Sequence, residues 1–305
     1  MSVRAERKLL AAIEAGGTKF VCAAGYGSDE ILQSAKIPTT TPRETFAQVA
    51  SFFSKVASQH GDIAAMGVAS FGPIDIDPNS ATYGAILNTP KPHWTGANFV
   101  KELALLKAPV MIDTDVSGAG IGEARAGAGK GLRTIAYVTV GTGIGAGVIK
   151  DGVPQSGFGH YELGHIRAPR DKNADPYPGR CPFHGDCLEG VASGPAIIER
   201  WGASLSDLPA GHEAIHLEAE YLSHLALTLI LGHMPERIIF GGGVMKAPGL
   251  LGELQRKTKA LVGDYVQGEP LKGDLSDYIV APALGDLAGV IGALALAQMA
   301  LENAQ

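Results

Sequence analysis

A short run near the middle of the chain has the spacing of metal ligands. The run CPFHGDC, residues 181–187, contains two cysteines and one histidine in the order C-x-x-H-x-x-C, namely Cys181, His184 and Cys187. Structural zinc sites take four nitrogen or sulfur ligands in tetrahedral geometry. His165, in the upstream ELGH, is the natural fourth ligand, and His160 and Asp186 are its rivals. We therefore predict a structural zinc site that stabilises a loop with little hydrophobic core.

Two carboxylates stand at the end of an apolar run in APVMIDTDVSGAG. They are Asp113 and Asp115. In open α/β sheets, ligands bind at the carboxyl ends of strands, so a carboxylate at this position can act as a general base. Aspartate is also a favoured N-cap of a helix. The motif alone leaves both interpretations open.

Two glycine-rich turns have the composition of phosphate-binding loops. Each joins two apolar strands, in AIEAGGTKFVCAAGYG (residues 12–27) and in VTVGTGIGAGVIKDG (residues 138–152). Such a turn offers backbone N–H groups and a threonine hydroxyl to phosphate oxygens. The residues at the two tips are Gly16, Gly17, Thr18 and Lys19 in the first turn and Gly141, Thr142 and Gly143 in the second. A carboxylate, Glu14, precedes the first tip.

The second turn also fits the relaxed dinucleotide fingerprint G-x-G-x-x-A. That fingerprint requires a following helix whose N-terminus meets the pyrophosphate. Here AGVIKDG predicts a strand that ends in an Asp-Gly turn, so the context argues against NAD binding. Because both halves of the chain contain the same kind of hairpin, the sequence predicts an internal duplication.

The elements around these motifs alternate between strands and helices. The first three strands form a predicted meander, and a helix near 42–59 follows, with Thr41 as N-cap, Pro42 in its first turn and Glu44 completing a capping box. A long irregular stretch, residues 153–192, contains the cysteines. Further helices are predicted near 194–204, 211–234, 248–262 and 286–302, the last of which we expect to pack on the first lobe.

Composition limits the classes of protein that this chain can belong to. At 305 residues it is long enough for two lobes. A net charge of −6 and a pI near 5.8 disfavour nucleic-acid binding. No run approaches the roughly 20 apolar residues of a membrane span, and MSVRAERK lacks the pattern of a signal peptide. We therefore expect a cytoplasmic protein without a membrane partner.

Together these motifs resemble the ROK family of sugar kinases, in particular its bacterial fructokinase branch. The resemblance runs in order through AIEAGGTKFVCAAG, FGPIDID, YGAILNTPKPHW, DTDVSGAG, VTVGTGIGAGVIKDG, ELGH, CPFHGDCLEG, FGGGVM and PALGD. It implies an α/β, actin-like (ribonuclease-H-like) ATPase fold with two lobes around a nucleotide cleft. The expected lobes are residues 1–120, completed by the C-terminal helix 286–305, and residues 121–285.

The resemblance also implies a role for particular residues. Both hairpin tips would bind the phosphates of ATP, and Gly241, Gly242 and Gly243 would lie against the adenosine. Asp115 matches the catalytic base. Glu14 stands where many relatives have Asp, and a carboxylate there can face Mg²⁺ directly or through water. The implied sugar-binding residues are Thr114, Glu162, His165 and Glu189, and Thr114 stands where many relatives have Asn.

The implied activity is ATP-dependent phosphorylation of a hexose, with fructose 6-phosphate as the expected product. Mannokinase and glucokinase are alternatives within the family. A sugar-sensing regulator is the alternative of another class, but only about nine residues precede the first predicted strand, so we expect no DNA-reading helix ahead of it. The family resemblance also implies a homodimer.

Overall fold

The computed structural model describes residues 7–263 and 265–304. Residues 1–6, on which part of the signal-peptide argument rests, lie outside the described residues. The strands are β1 (Leu9–Ala15), β2 (Lys19–Gly27), β3 (Glu30–Pro38), β4 (Ile63–Ser70), β5 (Val110–Thr114), β6 (Thr134–Val140), β7 (Ile144–Lys150), β8 (Val153–Pro154), β9 (Arg237–Gly241) and β10 (Ile279–Val280). The helices are α1 (Pro42–His60), α2 (Phe99–Glu102), α3 (Asp115–Ala126), α4 (Leu188–Ala192), α5 (Gly194–Trp201), α6 (Glu213–His233), α7 (Leu250–Val262) and α8 (Ala288–Asn303).

The described residues divide into two units. The first takes in residues 7–123, the short segment Ser156–His160 and residues 286–304, and the second takes in residues 124–155 and 161–285. The lobe boundaries expected from the sequence did not include this short segment in the first lobe. Its residues lie within the second unit along the chain but pack with the first unit.

Each unit is built on a five-stranded sheet of the same topology. The first sheet has the order β3-β2-β1-β4-β5 and the second has the order β8-β7-β6-β9-β10. In both, three strands form an antiparallel meander and the last two continue from its first strand in parallel. This repetition confirms the internal duplication that the two hairpins predict.

The first helix shows how local sequence sets the element boundaries. Thr41 adopts an extended conformation and its hydroxyl accepts a hydrogen bond from the backbone N–H of Glu44, as a capping box requires. Pro42 begins the helix, which ends at His60, one residue beyond the predicted end. Its apolar side buries Phe46, Phe53 and neighbouring residues in the core of the first unit.

The C-terminal helix α8 lies so close to its neighbours that only glycine fits at the contacts. A β-carbon added to Gly67 on β4 would stand 1.9 Å from the carbonyl oxygen of Ala293. One added to Gly292 would stand 1.7 Å from the carbonyl oxygen of Gly118 on α3. Backbone therefore contacts backbone on both sides of α8.

The same helix is the one element among the described residues that is long and apolar enough to cross a membrane. Its apolar side chains have another explanation, because 61% of the most apolar 18-residue stretch within Gly285–Asn303 is buried inside the protein. The helix packs on β4 and β1 of the first sheet.

The irregular stretch predicted for residues 153–192 contains two short elements that the sequence did not reveal. They are β8, which adds two residues to the edge of the second sheet, and the five-residue helix α4. Elements this short carry too few residues for a hydrophobic period to show.

We expect Gly292→Ala to lower the stability of the protein by about 1–3 kcal/mol, because its methyl group would collide with the backbone of α3 and could be relieved only by moving a helix. Thermal denaturation would measure the loss. Gly232→Ala on α6 is the matched control, since nothing lies within 4 Å of that β-carbon. Equal melting temperatures for the two variants would contradict the close contact.

Candidate functional site

The first glycine turn presents its tip to solvent. Gly17, Thr18 and Lys19 are exposed, and Gly16 closes the turn with a 3.0 Å hydrogen bond from its N–H to the carbonyl of Lys19. The hydroxyl of Thr39 donates to the carbonyl of Gly16 at 2.8 Å, which fixes the turn from the neighbouring strand end. The tip thus offers backbone donors, a hydroxyl and an ammonium group together, the set that an anion requires.

Glu14 lies one residue before the end of β1, next to this turn. It pairs with Val21 on β2 and with Ala69 on β4. Burial raises the pKa of its carboxyl, the positive charge of Lys19 lowers the pKa, and the negative charge of Asp286 raises it. The side chain passes against the start of α8, where a β-carbon on Gly289 would lie 2.5 Å from the carboxyl carbon of Glu14.

The junction between β5 and α3 orients three consecutive residues differently. The hydroxyl of Thr114 accepts a 3.1 Å hydrogen bond from the N–H of Ser117, which is the contact of an N-cap. Asp113 is buried, and its Oδ1 accepts from the N–H of Thr114 at 2.7 Å. Asp115 begins the helix, is half-buried, and accepts from the N–H of Val116 at 2.9 Å. Thr114 rather than Asp115 is therefore the cap, which corrects the alternative left open above.

The buried carboxyl of Asp113 has a setting of its own. Burial raises its pKa, and hydrogen bonds from Ser117 and Thr114 together with the nearby charge of His160 lower it. His160 belongs to the short segment that joins the first unit, and its Nε2 accepts a hydrogen bond from the N–H of Ile74 at 3.2 Å. The suggestion that His160 is the fourth metal ligand is therefore wrong.

Four potential metal ligands converge in the second unit. The ligand atoms of His165, Cys181, His184 and Cys187 all lie within 4.8 Å of one another. Nδ1 of His165 is 3.4 Å from the sulfur of Cys187 and 3.8 Å from that of Cys181, and Nδ1 of His184 is 3.7 Å from the sulfur of Cys181. Both cysteines are buried.

The other rival ligand, Asp186, is engaged elsewhere. Its carboxylate forms ion pairs with Arg167, Arg170 and Lys172. Hydrogen bonding to Lys172, with the charges of all three cations, lowers the pKa of the Asp186 carboxyl against the opposing effect of burial. The cluster that the spacing predicted thus forms with His165 as its fourth member.

Burial of the cluster raises the free energy of an isolated cysteine thiolate within it. It raises the pKa of the Cys187 thiol to about 11, against a lowering hydrogen bond from the backbone of Gly190. A cation among the four ligand atoms would reverse that cost, because coordination deprotonates a thiol. The donor set of two sulfurs and two imidazole nitrogens therefore fits a divalent metal of borderline softness.

Two of the expected sugar-binding residues lie beside this cluster. His165 forms part of a single 3-10 turn, and its Nε2 is 3.9 Å from the carboxylate of Glu162 while its Nδ1 faces the cysteines. The arrangement places a carboxylate on the far side of a potential metal-ligating imidazole, which is the usual way in which such rings are oriented.

Glu189, the third expected sugar-binding residue of this unit, contacts the second glycine turn. It lies in the first turn of α4, and its Oε2 accepts a 2.9 Å hydrogen bond from the N–H of Ile144. Thr142 at the tip is exposed, and the N–H of Gly141 donates to the carbonyl of Gly143 at 2.9 Å. The second turn therefore has the same open tip as the first.

The glycines after β9 pack against the strand that leads into this turn. Gly242 has φ +95°, and a β-carbon there would lie 2.3 Å from the carbonyl oxygen of Val140 at the end of β6. Gly241 is equally restricted, because its β-carbon would lie 2.5 Å from the hydroxyl of Tyr137. Gly243 is exposed. Two of the three glycines are thus needed for close packing of the strands.

Sequence reasoning missed a buried ion network that holds the cysteine loop. Oδ2 of Asp175 accepts hydrogen bonds from Arg170 and from Arg200 on α5, each at 2.9 Å, and from the hydroxyl of Tyr221 on α6. Arg170 also reaches Asp186 in the loop. Arg200 and Tyr221 are 25 and 46 residues from Asp175, so no local signal could have revealed the whole network.

The ROK family description matches residues 10–300 of this chain. The chain belongs to the ROK family. It is similar to a fructokinase from Zymomonas mobilis, with 45% identity over 98% of this chain and 99% of that protein. It is also similar to a fructokinase from Streptococcus mutans, with 41% identity over 95% and 98%.

Among solved structures, the fold is similar to that of a ROK family glucokinase from Streptomyces griseus in complex with glucose and AMPPNP. The TM-score is 0.72 at 24% identity, covering 95% of this chain and 99% of that one. This ROK kinase structure and the two repeated sheets confirm the predicted α/β, actin-like ATPase fold class.

We expect one divalent metal ion to bind per chain and Cys187→Ser to abolish the binding, because the remaining three ligands cannot complete a tetrahedral site. Elemental analysis of the dialysed protein would measure the stoichiometry. Cys22→Ala is the control, since that buried cysteine on β2 is not part of the cluster. Retention of the metal by Cys187→Ser would contradict the ligand assignment.

Proposed function

We propose that this protein is an ATP-dependent fructokinase that makes fructose 6-phosphate. The observation that carries the proposal is the full-length similarity to fructokinases at 41–45% identity. Asp115, which is half-buried in the first turn of α3 directly after β5, is the proposed source of the carboxylate that the reaction needs.

Asp115 is the proposed general base. Its carboxylate accepts the proton of the sugar O6 hydroxyl as that oxygen forms a bond to the γ-phosphorus and the bond from phosphorus to the bridging oxygen of ADP breaks. Catalysis of such transfers depends mainly on positioning and on electrostatic stabilisation. The neighbouring cap supports this role, because it fixes the first turn of α3 and with it the direction of Asp115.

Both glycine turns are assigned to phosphate binding in this proposal. The tips are Gly16 to Lys19 and Gly141 to Gly143; their proposed phosphate contacts are backbone N–H groups and the hydroxyls of the exposed Thr18 and Thr142. Gly241, Gly242 and Gly243 are assigned to the adenosine. Mg²⁺ is proposed to bind beside the first turn, where Glu14 would offer a carboxylate oxygen, the kind of ligand that this ion prefers. When bound with ATP, Mg²⁺ would neutralise charge on the phosphates.

Sugar recognition is assigned to Thr114, Glu162, His165 and Glu189. Thr114 has the weakest claim, because its hydroxyl already contacts Ser117 and Asp113 within a buried junction. Glu162 is exposed and therefore accessible to a ligand. Discrimination between fructose, mannose and glucose depends on a few such hydrogen bonds.

The metal of the cysteine cluster is proposed to be structural zinc. Tetrahedral zinc with ordinary bond lengths to sulfur and nitrogen holds those two atoms about 3.6 Å apart. The corresponding distances in the cluster are 3.4, 3.8 and 3.7 Å. All four protein ligands are present, so no coordination position is left for a substrate. Zinc would therefore stabilise the loop that precedes Glu189.

The proposal includes a homodimer in the cytoplasm, with ATP and a hexose as its small-molecule ligands. The acidic net charge supports the absence of a nucleic-acid partner. The extensive burial of α8 supports the absence of a membrane partner. Sedimentation equilibrium of the purified protein tests the dimer.

A panel of hexoses assayed by ADP release should give the highest kcat/KM with fructose, and Asp115→Asn should lower kcat by about 10²–10⁴-fold while leaving the affinity for fructose nearly unchanged. The amide keeps the size of the side chain but accepts no proton. Asp151→Asn is the control, since that exposed carboxylate lies in a turn with φ +53° that asparagine also adopts. Wild-type kcat in a folded Asp115→Asn protein would refute the mechanism.

Gly289→Ala should reduce kcat/KM for Mg·ATP by roughly ten- to a hundredfold, because the new methyl group displaces the carboxylate of Glu14. The nearest atoms are those of a side chain, so the protein should fold normally. To test whether displacement of Glu14 is the cause, steady-state kinetics of Gly289→Ala are also measured in a protein that carries Glu14→Asp. Glu14→Asp shortens the side chain by one methylene, and the methyl group should then do less harm. Equal losses in both backgrounds would show that Glu14 is not the group displaced.

A further inference from the structure

We infer that Glu189 positions the second phosphate turn in addition to binding the sugar. The inference rests on the proposed function, which assigns the turn to ATP and Glu189 to the hexose. Its own basis is the 2.9 Å hydrogen bond from the N–H of Ile144 to Oε2 of Glu189. Ile144 is the first residue of β7 and directly follows the turn, so the carboxylate fixes the point at which the turn ends.

The contact is close because the turn has no side chain at the neighbouring position. A β-carbon on Gly143 would lie 2.7 Å from Oε2 of Glu189. The carboxylate therefore occupies the space above Gly143. A charged acceptor makes a stronger hydrogen bond to a backbone N–H than a neutral one does, which suits a group that has to hold an otherwise exposed turn.

A second contact from the same part of the chain holds the other side of the turn. The N–H of Gly194, the first residue of α5, donates to the carbonyl of Gly141 at 2.8 Å. Glu189 and Gly194 are five residues apart and span the junction of α4 and α5. The turn is thus held at both ends by one short segment, and only the contact of Glu189 uses a side chain.

The position of Glu189 is in turn set by the cysteine loop. Cys187 precedes α4 as its N-cap residue, and its carbonyl accepts from the N–H of Val191 at 3.2 Å. The N–H of Leu188 donates to the carbonyl of Ile166 at 2.9 Å, which ties the start of α4 to the segment carrying His165. The same short helix therefore carries a sugar ligand and a support for the nucleotide turn.

A carboxylate has two oxygens, which makes the double role possible. Oε2 accepts from Ile144, and the proposed sugar contact is assigned to Oε1. The two roles have different chemical requirements. The N–H of Ile144 needs an oxygen acceptor of either charge, whereas a hexose hydroxyl that donates to Glu189 is held more strongly by a negative charge. One substitution of Glu189 can remove only the negative charge, and another can remove both the charge and the oxygen acceptor. Comparing the two should therefore separate support of the turn from sugar binding.

The test compares Glu189→Gln with Glu189→Met, two side chains of nearly the same length. We expect Glu189→Gln to keep the affinity for AMPPNP within about twofold, because its amide oxygen accepts from Ile144. Glu189→Met should weaken AMPPNP binding by about tenfold, as loss of a hydrogen bond to a charged group predicts. Isothermal titration calorimetry without sugar measures both, independently of turnover. Equal AMPPNP affinities for the two folded variants would overturn the inference.

Gly143→Ala gives a second measurement from the other side of the contact. Its methyl group should displace the carboxylate and weaken AMPPNP binding in the wild-type background, but add little in Glu189→Met, where the hydrogen bond is already lost. Additive effects would overturn the inference. The KM for fructose is read separately: an unchanged value in Glu189→Gln would refute the sugar role in the proposed function and leave the positioning role intact.

Discussion

The fold depends on contacts between backbone and backbone that no side chain larger than hydrogen permits. Gly67, Gly122 and Gly292 bring α8 against β4 and α3 at distances where a β-carbon would collide with a carbonyl oxygen. The same helix also contacts β1 and β5, which carry Glu14 and the residues that precede the proposed base. The 41 glycines of the chain therefore serve packing as much as ligand approach.

The same device recurs where a carboxylate meets a glycine. Glu14 lies against Gly289, and Glu189 lies against Gly143. In each pair the glycine leaves room for the end of an acidic side chain near a glycine turn. The parallel follows the repeated topology of the two sheets. The contacts themselves differ, because the first carboxylate packs on a helix and the second accepts a hydrogen bond from the turn's own strand.

Features set by neighbouring residues could be predicted from the sequence, and features set by distant ones could not. The cap of α1, the two turns and the ligand spacing of the cysteine loop are local patterns, and each forms as expected. The N-cap of α3 was harder to predict, because Asp113, Thr114 and Asp115 are all polar and stand next to one another. Which of them caps the helix depends on the direction in which β5 ends. His160 and the network around Asp175 depend on contacts across 86 and 25 or more residues, respectively, beyond any local signal.

The position of α8 has a consequence for how the chain is made. Its residues 288–303 cover β1 and β4, yet the ribosome delivers them after the whole second unit. At about 5–20 residues per second, the first sheet waits on the order of ten seconds or more with an apolar face uncovered. During synthesis, the early part of this chain is therefore the part that most needs protection from aggregation.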